Sequence, residues 1–236
     1  MKSTVLAFLL MVFSLPLSFA QTPPDEGLVA SYSFQGNASD AAPNGNDAEV
    51  HGAVLTEGHD GSTKSAYALN GKDSYLVIPH SESLSLDDQA TFSLWWQYEP
   101  QASQDEYYTL FEKSDPERGG HARYGMWLIG DHVEVCTEAP DHSVQNCLDS
   151  TGALSKGWNF IAATFDGTSL RLYLGGKPSG KRTVKPAGIS QSTFETFIGT
   201  DQYAPDPLYT RGVIDELQLY NRALSGAEIA AFYEVP

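Results

Sequence analysis

Basic residues are scarce in this chain. Fourteen lysines and arginines stand against thirty aspartates and glutamates in 236 residues, a formal net charge of −16 at pH 7. Phosphate-rich partners are repelled by that balance, so neither nucleic acid nor an anionic membrane surface is expected to bind. Long apolar runs are also missing. Val5 to Phe13 is apolar but too short to span a bilayer, and no other segment is long enough, so membrane insertion is not expected. There are only two cysteines, which leaves no thiolate set for a structural zinc site. The histidines at 51, 59, 80, 121, 132 and 142 are scattered through loop-like contexts, and neither H-E-x-x-H nor G-x-S-x-G occurs.

What is present begins with a leader. Lys2, the apolar run and the small-x-small site Ser18-Phe19-Ala20 read as a signal peptide cleaved near Ala20. The expected address is secreted or periplasmic. In an exported chain an even cysteine pair reads as a disulfide, Cys136 to Cys147. Cys136 lies in an alternating segment, and Cys147 follows the Pro140-Asp141-His142 turn, so the bridge would staple neighbouring strands. Two buried thiols are the alternative.

Alternating apolar and polar residues dominate the rest. Leu28, Ala30, Tyr32 and Phe34 form one such row, and Phe92, Leu94, Trp96 and Tyr98 another. Trp158–Phe165 and Leu170–Leu174 are joined by Asp166-Gly167, a hairpin signal. About a dozen short strands with turns every eight to twelve residues imply an all-β, two-sheet antiparallel sandwich. The expected plan is a signal peptide over 1–20, an arm over 21–26 and one domain over 27–236. Ser225-Gly-Ala-Glu228 is a capping box that opens a short C-terminal helix.

The segment Arg211–Tyr220 poses a question. Strict alternation puts Val213, Asp215, Leu217 and Leu219 on one face. A buried carboxylate in such a row needs a partner, a hydrogen-bond set or a metal.

Four stretches together carry a family resemblance. They are Leu28–Phe34 with the loop through Asn46, the strand Phe92-Ser-Leu-Trp-Trp96, the hairpin Trp158–Gly176, and Phe197-Ile-Gly199 leading to the Asp215-Glu216 strand. In this order they resemble the laminin-G-like, concanavalin-A-like jelly-roll family, relatives of the pentraxins. The resemblance implies a jelly roll with adjacent terminal strands. It also implies a non-catalytic binding module, with calcium-supported glycan recognition as its expected activity. A protein-interaction or adhesion module with a purely structural calcium ion is the alternative. Gln35 departs from the acidic residue usual after the first strand, and Gly175-Gly176 replaces Asn-Gly.

Calcium takes six to eight oxygens. The resemblance puts the Asn37–Asp47 loop beside the last strand, so Asn37, Asp40, Asn46 and Asp215 are the expected ligands. Two other roles are open: Asp40 and Asn46 as turn caps, and Asp215 as an acceptor of backbone amides. Asn37-Ala-Ser39 is also a glycosylation acceptor sequence. For a ligand, the resemblance points to Asp201, and aromatics able to stack on a sugar add Trp127, Tyr203 and Tyr209; packing is the competing role for each. Asp115 and Glu117 could approach the same site. Asp215 and Glu216 are adjacent on a strand and point to opposite faces, so they cannot form the same-face carboxylate pair of a glycosidase. A glycan or an extracellular protein is the expected partner.

Overall fold

The computed structural model describes residues 24–118, 122–184 and 188–234. The expected leader and the first residues of the arm lie outside them. In chain order the strands are β1 Leu28–Tyr32, β2 Glu49–His51, β3 Val54–Thr56, β4 Ala66–Asn70, β5 Tyr75–Ile78, β6 Ala90–Tyr98, β7 Tyr107–Ser114 and β8 Ala122–Ile129. They continue with β9 His132–Glu138, β10 Gln145–Asp149, β11 Gly157–Phe165, β12 Ser169–Leu174, β13 Lys177–Thr183, β14 Thr196–Ile198 and β15 Arg211–Tyr220, before helix α1 Gly226–Glu234.

These strands form two antiparallel sheets. One has eight strands in the order β13-β12-β11-β6-β15-β4-β3, with β1 also paired to β15. The other has seven, in the order β10-β9-β8-β7-β14-β5-β2. The first and last strands are neighbours, as the resemblance implied. The inward rows meet between the sheets. Phe92, Leu94 and Trp96 of β6 and Ile161, Ala163 and Phe165 of β11 face Leu110 and Phe111 of β7 and Met126 and Leu128 of β8 in one core. Alternation with one face buried is why these segments are strands.

Helix α1 lies on the outer face of the eight-stranded sheet. Ile229 and Phe232 pack there against Phe160, Ala162, Tyr173 and Tyr220. The capping box forms as read: Ser225 Oγ accepts from Glu228 N at 3.2 Å, and Glu228 Oε2 accepts from Ser225 N at 2.7 Å. Among the described residues no helix is long and apolar enough to cross a membrane.

Strand β13 is absent from the sequence reading. Lys177-Pro-Ser-Gly-Lys-Arg-Thr183 has no apolar row because it is an edge strand paired only with β12. Proline and lysine are tolerated, and protective, at such an edge.

Candidate functional site

The Asn37–Asp47 loop runs along the free edge of β1. Ser31 N donates to Asp40 Oδ1 at 2.8 Å, and Ser31 O accepts from Ala41 N at 2.8 Å. Val29 O accepts from Asn44 Nδ2 at 2.8 Å and from Asn46 Nδ2 at 3.1 Å. Asp40 also accepts from Ala42 N and Asn46 N, each at 2.8 Å. Asn37 Oδ1 caps its own turn through Ser39 N at 2.9 Å. These polar side chains thus close turns and satisfy an edge strand whose main chain would otherwise be unpaired.

Asp215 does not join them. The pairing of β15 with β6 shifts register between Asp215 and Gln218, and Glu216 sits at φ +49°. This bulge reverses the parity of the strand. Ile214, Leu217 and Leu219 therefore face the core, while Asp215 points to the outer face beside Trp95. The expectation that Asp215 shares an inward row with Leu217 and Leu219 is corrected by that extra residue. Its Oδ2 accepts from His59 N at 3.0 Å and lies 2.8 Å from His59 Nδ1; its Oδ1 accepts from Glu216 N at 2.8 Å. The His59 ring stacks on Trp95 with centroids 4.4 Å apart. Asn37, Asp40 and Asn46 thus share a loop and are engaged with its turns and with β1, while Asp215 is engaged with His59 and Glu216. Among the described residues, one group of three His, Cys, Asp or Glu ligand atoms gathers within 4.8 Å, Glu134 with Cys136 and Cys147. Its two sulfurs are joined as the expected disulfide.

That disulfide borders a more informative place, the outer face of the seven-stranded sheet. Cys136 and Cys147 are direct partners across β9 and β10. They pack with Ala122 against Trp127. Together with Tyr107, Glu112, Glu134, Gln145 and Asp201 these residues line a cavity of about 410 Å³. A smaller recess of about 140 Å³ shares Tyr107, Glu112, Trp127 and Asp201 and adds Asp206 and Leu208.

Glu112 is the centre of the cavity. A bulge in β7 at Leu110 turns both Leu110 and Phe111 to the core and brings Glu112 to the outer face. The residue is 2% exposed, and its carboxyl accepts from Ser114 Oγ at 2.6 Å, Trp127 Nε1 at 2.8 Å and Thr109 Oγ1 at 3.3 Å. Gly125 lets the indole lie this close: a Cβ there would meet Trp127 at 2.8 Å, Glu112 Cβ at 2.9 Å and Phe111 O at 2.7 Å. Burial first, and the facing Asp201 carboxyl second, push the Glu112 acid up to about 8, against the pull of Ser114 and Trp127. Near neutral pH that raised acid keeps its proton. Glu134 is pushed up to about 7 by burial and then by Asp149. The Tyr107 phenol is raised by Glu134 and then by burial. It is the ring that meets solvent, 53% exposed against 8% for Trp127.

Two of the four residues expected at a ligand site, Trp127 and Asp201, thus meet here. Tyr203 does not reach it. Its ring packs edge-on against Phe194 and Phe197, and its hydroxyl donates to Glu195. Tyr209 packs near Tyr75 and lines a neighbouring cavity. Asp115 is drawn instead into an ion pair with the buried Arg123, at 3.0 Å. Glu112, Tyr107 and Glu134 were missed. A signal for Glu112 was present in Tyr-Tyr-Thr-Leu-Phe-Glu, a lone carboxylate closing an apolar strand segment, the same signal that drew attention to Asp215.

The comparisons with known proteins agree on the architecture. No curated protein matches the chain. Among solved structures, the binding domain of botulinum neurotoxin DC in complex with SialylT superposes with a TM-score of 0.71 at 13% identity, over 89% of this chain and 51% of that one. Domain 4 of AbnA, an extracellular GH43 arabinanase from Geobacillus stearothermophilus, in complex with arabinotriose, gives a TM-score of 0.67 at 22% identity, over 88% of this chain and 98% of that one. The binding domain of Paraclostridial Mosquitocidal Protein 1 gives 0.69 at 16%, over 89% and 52%. The chain spans about half the length of the toxin domains and nearly all of the arabinanase domain. At these identities the likeness speaks for the fold alone. The sequence itself goes further: residues 70–230 match the Laminin_G_3 family, and the chain belongs to the concanavalin A-like lectin/glucanases superfamily.

Proposed function

We propose that this chain is a non-catalytic glycan-binding module and that its ligand occupies the Tyr107–Glu112–Trp127–Asp201 cavity. The observation that carries the reading is the pairing of an exposed phenol with the buried carboxyl of Glu112 and the half-buried carboxyls of Glu134 and Asp201 in one concave recess. An aromatic ring offers an apolar face to a sugar, and carboxyl groups accept its hydroxyl protons. The protonated Glu112 also donates, so the pair can meet a hydroxyl as donor or as acceptor. Superposing domains were solved with SialylT, with arabinotriose and with rat synaptotagmin II, which is compatible with a glycan or a protein ligand; the chemistry of the cavity favours the glycan.

The same geometry argues against hydrolysis. Glycosidases hold their two carboxyls about 5 Å or more apart so that the scissile bond or a water fits between them. Glu112 is buried, and its carboxyl is already engaged by Ser114, Trp127 and Thr109. The recognition proposed here does not draw on calcium held by Asn37, Asp40, Asn46 and Asp215, since none of them lines the cavity.

The test is a glycan array followed by calorimetry, in calcium and in EDTA, with wild type and Tyr107→Ala. Binding that survives EDTA and weakens about tenfold in the variant supports the reading. Binding that vanishes in EDTA, or that ignores Tyr107, overturns it.

A further inference from the structure

A third cavity adjoins the acidic recess. It has a volume of about 420 Å³ and is lined by Asn70, Gly71, Lys72, Gln101, Tyr209 and Arg211, among others, with Leu208 as a wall. Leu208 also lines the recess of Glu112 and Asp201. Tyr107 lines the recess from the outer face of β7, while its neighbour Tyr108, turned toward the core, lines this cavity. Leu208 is therefore the wall between them, and a chain-like ligand passing over it would follow one track.

Their charges are opposite. The first cavity holds Glu112, Glu134 and Asp201, the recess adds Asp206, and neither holds a lysine or arginine. The third holds Lys72 and Arg211 and no carboxylate. In a chain with thirty acidic and fourteen basic residues, Lys72 and Arg211 share one cavity, and a single carboxylate, Glu99 at the rim, partners Arg211. The fold brings them together closely. Gly71 takes φ +70°, and a Cβ on it would meet Arg211 Cβ at 2.9 Å, so the β4–β5 turn bearing Lys72 rests on the stem of Arg211. Gln101 holds the main chain of Arg211 from the other side, donating to Arg211 O at 2.7 Å and accepting from Arg211 N at 2.9 Å. Arg211 Nε donates to Glu99 Oε2 at 2.8 Å at the exposed rim. Among the described residues nothing else takes its terminal nitrogens, and Lys72 makes no ion pair.

We infer that Lys72, Tyr209 and Arg211 form a second subsite that binds the carboxylate of an acidic sugar residue, one or more units along the oligosaccharide held at Tyr107 and Glu112. An arginine fork matches a carboxylate in geometry, and the lysine adds a point charge. The acidic recess would repel the same group, so the track also fixes the ligand's direction. This rests on the glycan reading of the neighbouring cavity.

The test is a titration of the full chain with a galacturonate trisaccharide, its methyl ester and a sulfated trisaccharide. Wild type should bind the free acid about tenfold more tightly than the ester. Lys72→Gln/Arg211→Gln should erase that ratio at unchanged melting temperature, while Tyr107→Ala weakens acid and ester alike. Arg211→Lys, which keeps the charge and loses the fork, should retain only part of the preference and should affect the sulfated ligand less. A ratio that persists in the double variant, a wild-type preference for the ester, or a stronger preference for sulfate than for carboxylate overturns the subsite and leaves the glycan reading standing. If no trisaccharide binds the wild type, both fall.

Discussion

Asp215 and Glu112 invite comparison. Each is a carboxylic acid on a strand, 2% exposed, turned to the outer face of its sheet by a bulge, with an indole beside it. Their neighbours differ. Asp215 is compensated by His59 and by two main-chain amides. Glu112 faces a second carboxyl, Asp201, and an open cavity. A compensated carboxylate is framework, since its charge is already answered within the fold. A carboxyl set against a like group is a standing cost to the fold, and such costs gather where a ligand is bound. Burial alone therefore does not identify a site; the sign of the nearest partner does.

The largest expected effect tests the framework half. Asp215→Ala leaves the His59 amide and ring without their acceptor and should destabilise the fold by about 3 kcal/mol, read by chemical denaturation. A loss below about 1 kcal/mol would place Asp215 outside the framework. Replacing both cysteines by alanine should cost on the order of 2–3 kcal/mol through the freed loop. It should also disturb the near-ultraviolet signal of Trp127, which packs on the bridge.

Glu112→Gln tests the other half, and the sign follows from its raised acid. A carboxyl that protonates more readily in the fold contributes stability that is complete below its unfolded value, near 4.5, and is lost as pH rises to about 8. Wild-type stability should carry this decline. Glutamine mimics the protonated acid and keeps a donor toward Asp201, so the variant should lack the decline and be more stable at pH 8, by on the order of 2 kcal/mol. A variant less stable than wild type at pH 8 would mean that Glu112 is ionised and paired. Glu228 works in the opposite direction. Hydrogen bonds from Arg222 and then Ser225 hold it down at about 2, so its contribution is present above 4.5 and fades as pH falls toward 2.

The smallest expected effect is calcium on melting. With Asp40 carrying three main-chain amides and Asp215 committed to His59, the melting temperature should match in calcium and EDTA. A rise of several degrees in calcium would show that these carboxylates rearrange around an ion.

Much of this fold was legible in the sequence because a half-buried strand writes its pattern in period two. Phe92, Leu94 and Trp96 point to the core as read, and Ser225 and Glu228 cap the helix as read. The site was legible only in part. Trp127 and Asp201 stood out by type, but they meet only because β14 pairs with β7 and carries the 199–210 loop to that side of the sheet. The bulges at Leu110 and Glu216 were invisible for a plain reason. One extra residue leaves composition unchanged and yet reverses which side chains face the core. Tyr203 was misplaced because a loop aromatic gives no sign of whether it packs on Phe194 and Phe197 or meets a ligand.

The central claim is that the ligand meets the Glu112 face and not the Asp215 face. The chain has four tryptophans, and the two faces hold different ones: Trp127 hydrogen-bonded to Glu112, Trp95 and Trp158 around His59. Indole N–H resonances followed by NMR during titration with a binding oligosaccharide report on each separately. The account predicts that the Trp127 signal shifts with saturation while those of Trp95 and Trp158 stay in place. A ligand that moves Trp95 or Trp158 and leaves Trp127 unmoved would contradict it.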